Sequence, residues 1–188
     1  MYYIIILMIL AADQAVKHAV RANMELGGSI PLIEGIVHIT YITNTGGAFS
    51  LLQGHTAFLI VVTAALTAAI VLYIHKNRKN GSFTLLLALS LICGGGLGNL
   101  IDRARLGSVV DFIDFRVFPV FNVADICVCC GCGLLLIHMV FSGRREASER
   151  EADRRGAESG AAAQDADGEP AIDCGSATQD DAGRERTV

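Results

Sequence analysis

The sequence predicts an all-α membrane protein, with four transmembrane helices and a small extracytoplasmic β-domain between the first and second helices. Two observations predict this fold class. Of the 188 residues, 52% are hydrophobic and only 18% are charged, which is too apolar for an ordinary soluble domain. The apolar residues also form four long runs, at about 1–20, 57–74, 83–101 and 121–141.

The first run is predicted to be a transmembrane helix although it contains Asp13 and Lys17. A bilayer core of about 30 Å requires about 20 helical residues, so an acid at position 13 falls at membrane depth. A cleaved signal peptide is the competing interpretation, but no basic segment precedes the run and no clear small-x-small cleavage site follows it. We therefore expect a span in which Asp13 faces the protein interior, with Lys17 as a possible partner.

The other three runs are long enough to span a bilayer as helices, which satisfy their backbone hydrogen bonds internally. Their orientation follows from basic residues in short flanking segments, which favour the cytoplasmic side. Such residues follow the second and fourth runs: Lys76, Arg78, Lys79, Arg144 and Arg145. We therefore expect a multi-pass protein of the bacterial cytoplasmic (inner) membrane, with both termini cytoplasmic and the connectors at about 21–56 and 102–120 outside.

The first outer connector, within residues 24–53, is rich in β-branched and aromatic residues and is punctuated by glycine and proline, as strands and turns are. It predicts a small sheet on the outer membrane face. Residues 1–142 then form one four-span domain. The polar segment 143–188 has almost no large apolar residues and is predicted to be a disordered cytoplasmic tail. It also carries much of the acidic charge, and no basic surface for nucleic acid is predicted.

Acidic residues cluster at the outer ends of the last two spans. The motif GNLIDR closes the third run, VVDF follows after a short link, and FNVAD opens the fourth run. Because the two anchoring helices must be neighbours, Asp111 and Asp125 can meet near the interface. Two adjacent carboxyl groups share a proton, and such a pair can activate water and protonate a peptide carbonyl without a metal or a covalent intermediate.

Five motifs, DQAVK, NTGGAF, GNLIDR, VVDF and FNVAD, resemble in this order the signature blocks of lipoprotein signal peptidases (signal peptidase II) across about residues 5–141. The resemblance implies a membrane aspartic endopeptidase that cleaves diacylglyceryl-modified prolipoproteins before the lipidated cysteine, with the active site near the outer face. Its catalytic aspartates fall on Asp111 and Asp125. Substrate-binding or supporting residues implied by the resemblance are Asp13, Asn44, Gly98, Asn99, Asp102, Arg103 and Asn122.

Of these supporting residues, Asn44 and Asn99 are expected to position substrate or the tetrahedral intermediate. Arg103 is expected to bind backbone carbonyls or to hold the site in shape, and Asn122 to orient the acid pair. The resemblance implies no cofactor and no metal. Its partners are the lipid-modified prolipoprotein substrate and membrane lipids, and a monomer is expected. The link between the two catalytic aspartates is shorter than in many relatives, which affects the periphery of the site.

Several alternatives remain open from the residues alone. Asp102 is the rival of Asp111 as the catalytic acid, although it can instead serve Arg103 as a counter-ion, and Asp114 is interpreted as a surface residue. The scattered histidines lack metalloprotease spacing, and the cysteines of the fourth run can pack as small hydrophobes instead of binding zinc. The glycine run CGGGLG indicates close helix packing. A non-enzymatic membrane protein whose buried acids carry protons is the rival function.

Overall fold

The computed structural model describes residues 1–46 and 55–142. These residues contain four long helices: α1 Tyr2–Asn23, α2 Thr56–Asn77, α3 Phe83–Leu106 and α4 Val123–Ser142. Each helix is long and apolar enough to cross a membrane, which confirms the four predicted spans. The predicted disordered tail at 143–188 and the second half of NTGGAF lie outside the described residues.

Helix α3 extends five residues beyond the predicted end of the third run, so Asp102 and Arg103 belong to a helix and not to a connector. It ends at Gly107, whose φ of 75° lies in the left-handed region that glycine adopts without strain, and the Gly107 N–H bonds to the Arg103 carbonyl. Basic side chains in the last turn also favour this end of the helix dipole. Asp102 and Arg103, which the sequence assigned to the connector, are therefore held in position by a helix.

The sheet is three-stranded and antiparallel, in the order β1 Ser29–Ile33, β2 Val37–Asn44 and β3 Val109–Asp114. The first two strands confirm the β-rich character of the first connector. The predicted β-domain between the first and second helices is extended by a third strand from elsewhere, because β3 comes from the segment between α3 and α4. Strand β3 pairs with β2 so that Asn44 lies opposite Val109 and Ile42 lies opposite Asp111.

Strand β3 is anchored to the helices as well as to the sheet. Val110 and Phe112 are buried together with Val20 of α1, and Met24 and Val123 pack against this cluster. The cluster holds the sheet against the ends of α1 and α4. The active-site candidates of β3 are thereby fixed relative to the helical bundle.

The glycine run in α3 allows neighbouring helices to approach closely, as predicted. A methyl group added at Gly94 would lie 3.0 Å from the Ile9 side chain of α1. One added at Gly95 would overlap the Ala124 carbonyl oxygen and lie 2.8 Å from the Val128 side chain, both on α4. Helices that meet at glycine positions can bring their backbones closer together than larger side chains would allow. Helix α3 is therefore held tightly between α1 and α4.

Candidate active site

Asp111 lies on β3 with 1% of its surface exposed, and Asp125 is the third residue of α4. The chain between them folds back on itself, because Ile113 and Phe121 form an antiparallel bridge. The Phe121 N–H donates to the Ile113 carbonyl at 3.1 Å, and the Phe112 N–H donates to the Phe121 carbonyl at 3.0 Å. This bridge brings the start of α4 beside β3, and so brings the two acids to one cavity.

Helix α4 begins with a reciprocal cap made by the FNVAD motif. The Asn122 side-chain oxygen accepts a hydrogen bond from the Asp125 N–H at 2.9 Å, and Asp125 Oδ2 accepts one from the Asn122 N–H at 3.2 Å. This is the geometry of a capping box, which satisfies two N–H groups at a helix start. The same two residues therefore start the helix and supply the site.

Four amide or peptide N–H groups surround the acid pair, one at each carboxyl oxygen. Asp111 Oδ1 accepts from Asn122 Nδ2 at 2.6 Å, and Asp111 Oδ2 accepts from Asn44 Nδ2 at 3.1 Å. Asp125 Oδ1 accepts from Asn99 Nδ2 at 2.8 Å, and its other oxygen accepts from the Asn122 backbone. Amide donors fix both carboxyl groups in place without neutralising them as a cation would.

The pKa of Asp111 is raised to about 6, chiefly by burial and next by the neighbouring charge of Asp125. The hydrogen bonds from Asn44 and Asn122, and the charge of Lys17, act in the opposite direction. Burial disfavours a carboxylate, and so does a second carboxylate nearby. Asp111 therefore retains its proton at a higher pH than an ordinary aspartate does.

A cavity of about 330 Å³ contains both acids. Asn44, Asn99 and Arg103 line its polar part, and residues 118–121 with Val128 and Cys129 of α4 line its apolar part. A second cavity, of about 240 Å³, lies between α2, α3 and α4 and shares Asn99, Arg103 and Asp125 with the first. The acid pair thus faces a space with both polar and apolar walls.

Behind the acid pair lies a buried ion cluster formed by α1 and α3. Lys17, which is 2% exposed, pairs with Asp13 and with Asp102, each at 2.9 Å. This confirms that Asp13 faces the interior with Lys17 as its partner. Asp102 was expected to pair with Arg103, but its ion pair is with Lys17, because successive side chains on a helix diverge by about 100°. Asp102 does not line either described cavity.

Gly98 belongs to this cluster because only a hydrogen fits at its position. A methyl group there would lie 2.5 Å from Asp13 Oδ2 and 3.3 Å from the Ala124 side chain. The Asp13 carboxylate also accepts a hydrogen bond from the Ala124 N–H at 3.0 Å, which ties α1 to the start of α4. The absence of a side chain at Gly98 therefore leaves room for Asp13 of α1 to contact Ala124 of α4 next to α3.

The prediction that Asp114 is a surface residue was wrong, because it is buried, and it lies outside the cavity that contains the acid pair. Its carboxylate accepts hydrogen bonds from Thr40 at 2.8 Å and from the Arg116 N–H at 2.7 Å. Arg116 in turn contacts His38 of β2 at 2.7 Å. These contacts join the strands to the chain that leads toward α4, at a distance from the cavity.

A family model described as "Signal peptidase (SPase) II" matches residues 5–141. The chain belongs to the signal peptidase II family. It is 44% identical to a lipoprotein signal peptidase of Halothermothrix orenii over 139 residues, which cover 74% of this chain and 94% of that protein. It is 43% identical to a lipoprotein signal peptidase of Bacillus subtilis over 154 residues, which cover 80% of this chain and 99% of that protein.

Two solved structures are also similar to this signal peptidase II family member. Both are described as bacterial membrane enzymes and are 32% identical to the chain. The first aligns with a TM-score of 0.71 and covers 76% of this chain and 88% of its own. The second aligns with a TM-score of 0.66 and covers 73% of this chain and 91% of its own.

Sequence reasoning missed two side chains of this family member's site. Gln14 donates to Asp102 at 2.9 Å, to the Gly98 carbonyl at 3.2 Å and to Asp13 at 3.3 Å, and so links α1 to α3. A polar amide inside an apolar run was the available signal. Cys129 was interpreted only as a small hydrophobe, and its place one helical turn after Asp125 was the signal that it lines the cavity.

Proposed function

We propose that this chain is a membrane aspartic endopeptidase that removes signal peptides from diacylglyceryl-modified prolipoproteins by cleaving before the lipidated cysteine. The family is a peptidase family, and its curated members are lipoprotein signal peptidases. The aspartic mechanism rests on one observation in particular. Asp111 and Asp125 line the same cavity, and each of their four oxygens accepts a hydrogen bond from an N–H group of the described residues.

The two acids take different roles. Asp111, whose pKa is raised to about 6, holds the shared proton and acts as the acid. Asp125 acts as the base and takes a proton from a water molecule between the two carboxyl groups as the water oxygen attacks the scissile carbonyl carbon. Asp111 gives its proton to the carbonyl oxygen, which produces a neutral tetrahedral diol.

Collapse of this diol completes the reaction. The proton on Asp125 moves to the leaving nitrogen as the carbon–nitrogen bond breaks, and one diol hydroxyl returns its proton to Asp111 as the carbonyl re-forms. One water molecule is consumed and both acids return to their starting states. The balance needs no metal and no covalent enzyme intermediate.

The supporting residues divide into two groups. Asn44, Asn99 and Arg103 line the cavity, where amide and guanidinium donors can bind peptide carbonyls or the diol. Asn122 donates to Asp111 and caps α4, so it orients both acids. Residues behind the pair maintain its position without touching substrate: Asp13, Gly98 and Asp102.

The membrane gives the substrate its route to the site. The apolar wall at residues 118–121 suits a lipidated peptide, which can approach laterally from the bilayer instead of from water. Basic residues after the second and fourth spans favour cytoplasmic termini, which puts the sheet and the acid pair near the outer face.

The test is cleavage of a lipidated precursor by the purified chain in detergent. Asp111→Asn and Asp125→Asn are each expected to abolish release of the signal peptide while the protein stays folded. Asp114→Asn is the matched control, because Asp114 lies on the same strand outside the cavity, and it should retain cleavage. Full cleavage by either of the first two variants refutes the acid pair. Rapid cleavage of an unlipidated precursor refutes the substrate class.

A further inference from the structure

Lys17 is a buried cation with its donors fully used. An ammonium group has three N–H donors, and Lys17 Nζ has three acceptors: Asp13 Oδ2 and Asp102 Oδ2 at 2.9 Å, and Asn99 Oδ1 at 2.8 Å. Two of the acceptors are anions. The third is a neutral amide that lines the cavity with the acid pair. Lys17 therefore contacts the site through Asn99.

The contact with Lys17 determines which way the Asn99 amide points. Because an ammonium can only donate, it requires the amide oxygen, and Asn122 Nδ2 also donates to that oxygen at 3.1 Å. The Asn99 NH₂ group is then directed at Asp125 Oδ1, to which it donates at 2.8 Å. A flipped amide would place NH₂ against the ammonium and an oxygen against the Asp125 carboxylate. Both contacts would be repulsive.

We infer that Lys17 is a positioning residue for peptide hydrolysis, which holds the Asn99 amide so that its N–H supports the ionised state of Asp125. The inference rests on the proposed function and adds a residue to it. Lys17 touches no part of the cavity itself. It acts by orienting one donor and by placing a positive charge behind the two acids.

The surroundings of Lys17 make the inference testable without unfolding the protein. Without the lysine, Asp102 keeps hydrogen bonds from Gln14 and from the Val110 N–H, and Asp13 keeps those from Gln14 and the Ala124 N–H. Lys17 pairs with Asp13 and Asp102, and its charge also acts on Asp111, while Arg103 interacts electrostatically with Asp102 and with both acids of the pair. Removal of Lys17 leaves this set more negative.

The experiment measures kcat, KM and the pH profile of kcat/KM on a lipidated precursor for the full chain and its variants. Lys17→Met is expected to lower kcat about 100-fold with little change in KM, because a misdirected donor affects the reacting geometry. The alkaline limb of the profile should move up by about one pH unit, because a cation near the pair is lost. Lys17→Arg keeps the charge and should keep the limb in place.

Two further variants separate this role from a merely structural one. Arg21→Met removes a cation one turn later on α1, outside the cluster, and should leave kcat and the profile unchanged. The double variant Lys17→Met with Asp102→Asn removes one positive and one negative charge. The kcat of this double variant should be lower than the kcat of Asp102→Asn alone. Its alkaline limb should move less than the alkaline limb of Lys17→Met.

The outcomes are distinct. An active wild-type chain together with a folded Lys17→Met variant of unchanged kcat and profile overturns the inference alone. If Lys17→Met does not fold, the double variant decides: a folded double variant with the kcat of Asp102→Asn overturns the inference. A wild-type chain that cannot cleave a lipidated precursor contradicts the proposed function itself.

Discussion

The hydrogen bond from Asn44 to Asp111 provides a measurable control over the pH dependence of cleavage. In the proposed mechanism the pair is active with one proton, and Asp111, with a pKa of about 6, loses that proton on the alkaline side of the profile. The kcat/KM of the wild-type chain should therefore fall as pH rises through about 6. Asn44 Nδ2 donates to Asp111 Oδ2 at 3.1 Å and favours its charged form.

Asn44→Leu is expected to move this alkaline limb to higher pH. A hydrogen bond to a charged group contributes about 1.5–3 kcal/mol, and one pKa unit corresponds to about 1.4 kcal/mol, which gives about 1–2 units. Because Asn44 borders the cavity, water replaces part of the lost donor, so we expect about one unit. The assay is kcat/KM for a lipidated precursor in detergent across the pH range, with thermal denaturation at each pH.

The matched control is Thr43→Val, which alters the neighbouring, exposed position of β2 and should leave the limb in place. An alkaline limb that stays where it is in folded Asn44→Leu, or that moves to lower pH, would refute the assignment of that limb to Asp111. Loss of activity without a shift would show that Asn44 acts on substrate alone.

Two further predictions concern stability. Because the pKa of folded Asp111 lies above its usual 3.8, its protonated form contributes stability that is fully present below about 3.8 and is lost as pH rises through about 6. Asp111→Asn, which stays neutral, should therefore raise the apparent Tm at neutral pH, by at most the equivalent of roughly 3 kcal/mol, and a lower Tm there would contradict the shift. Gly98→Ala should cost about 1–3 kcal/mol and reduce kcat, because its methyl group meets Asp13. Gly133→Ala, on α4 with nothing within 4 Å of the added methyl group, is its control, and equal losses in both variants would contradict the packing argument.

The helices could be predicted from the sequence because lipid imposes strict requirements. A span must be long, apolar and helical, so the four runs identify it with errors of only a few residues at the ends. Strand β3 could not be predicted in the same way. Val109–Asp114 is buried on nearly every residue and has only six positions, so it lacks the alternation that identifies a strand with one exposed face. Its partner strand, β2, is also far away in the sequence, so no local pattern indicates that the two strands pair.

The acids of the site could be found from the sequence, and so could the pair of Asp13 with Lys17 one helical turn away, but the partners that come from other elements could not. A charged residue at membrane depth is conspicuous in a hydropathy pattern, as Asp13 is. Which cation such an acid meets depends on how α1 packs against α3. Lys17 and Asp102 are distant in sequence yet form an ion pair at 2.9 Å, whereas the adjacent Arg103 points toward the cavities.

This partnership supports the proposal of Asp111, and not Asp102, as the second acid of the pair. Asp102 forms an ion pair with Lys17 at 2.9 Å and lines neither cavity, so it does not face the space that Asp125 borders. Asp111 has amide donors, borders the cavity and interacts electrostatically with Asp125, so a proton can pass between it and the pair's other member. Within the described residues neither Asp111 nor Asp125 forms an ion pair, whereas Asp102 does, and this difference supports Asp111 as the acid that shares a proton with Asp125 in the proposed mechanism.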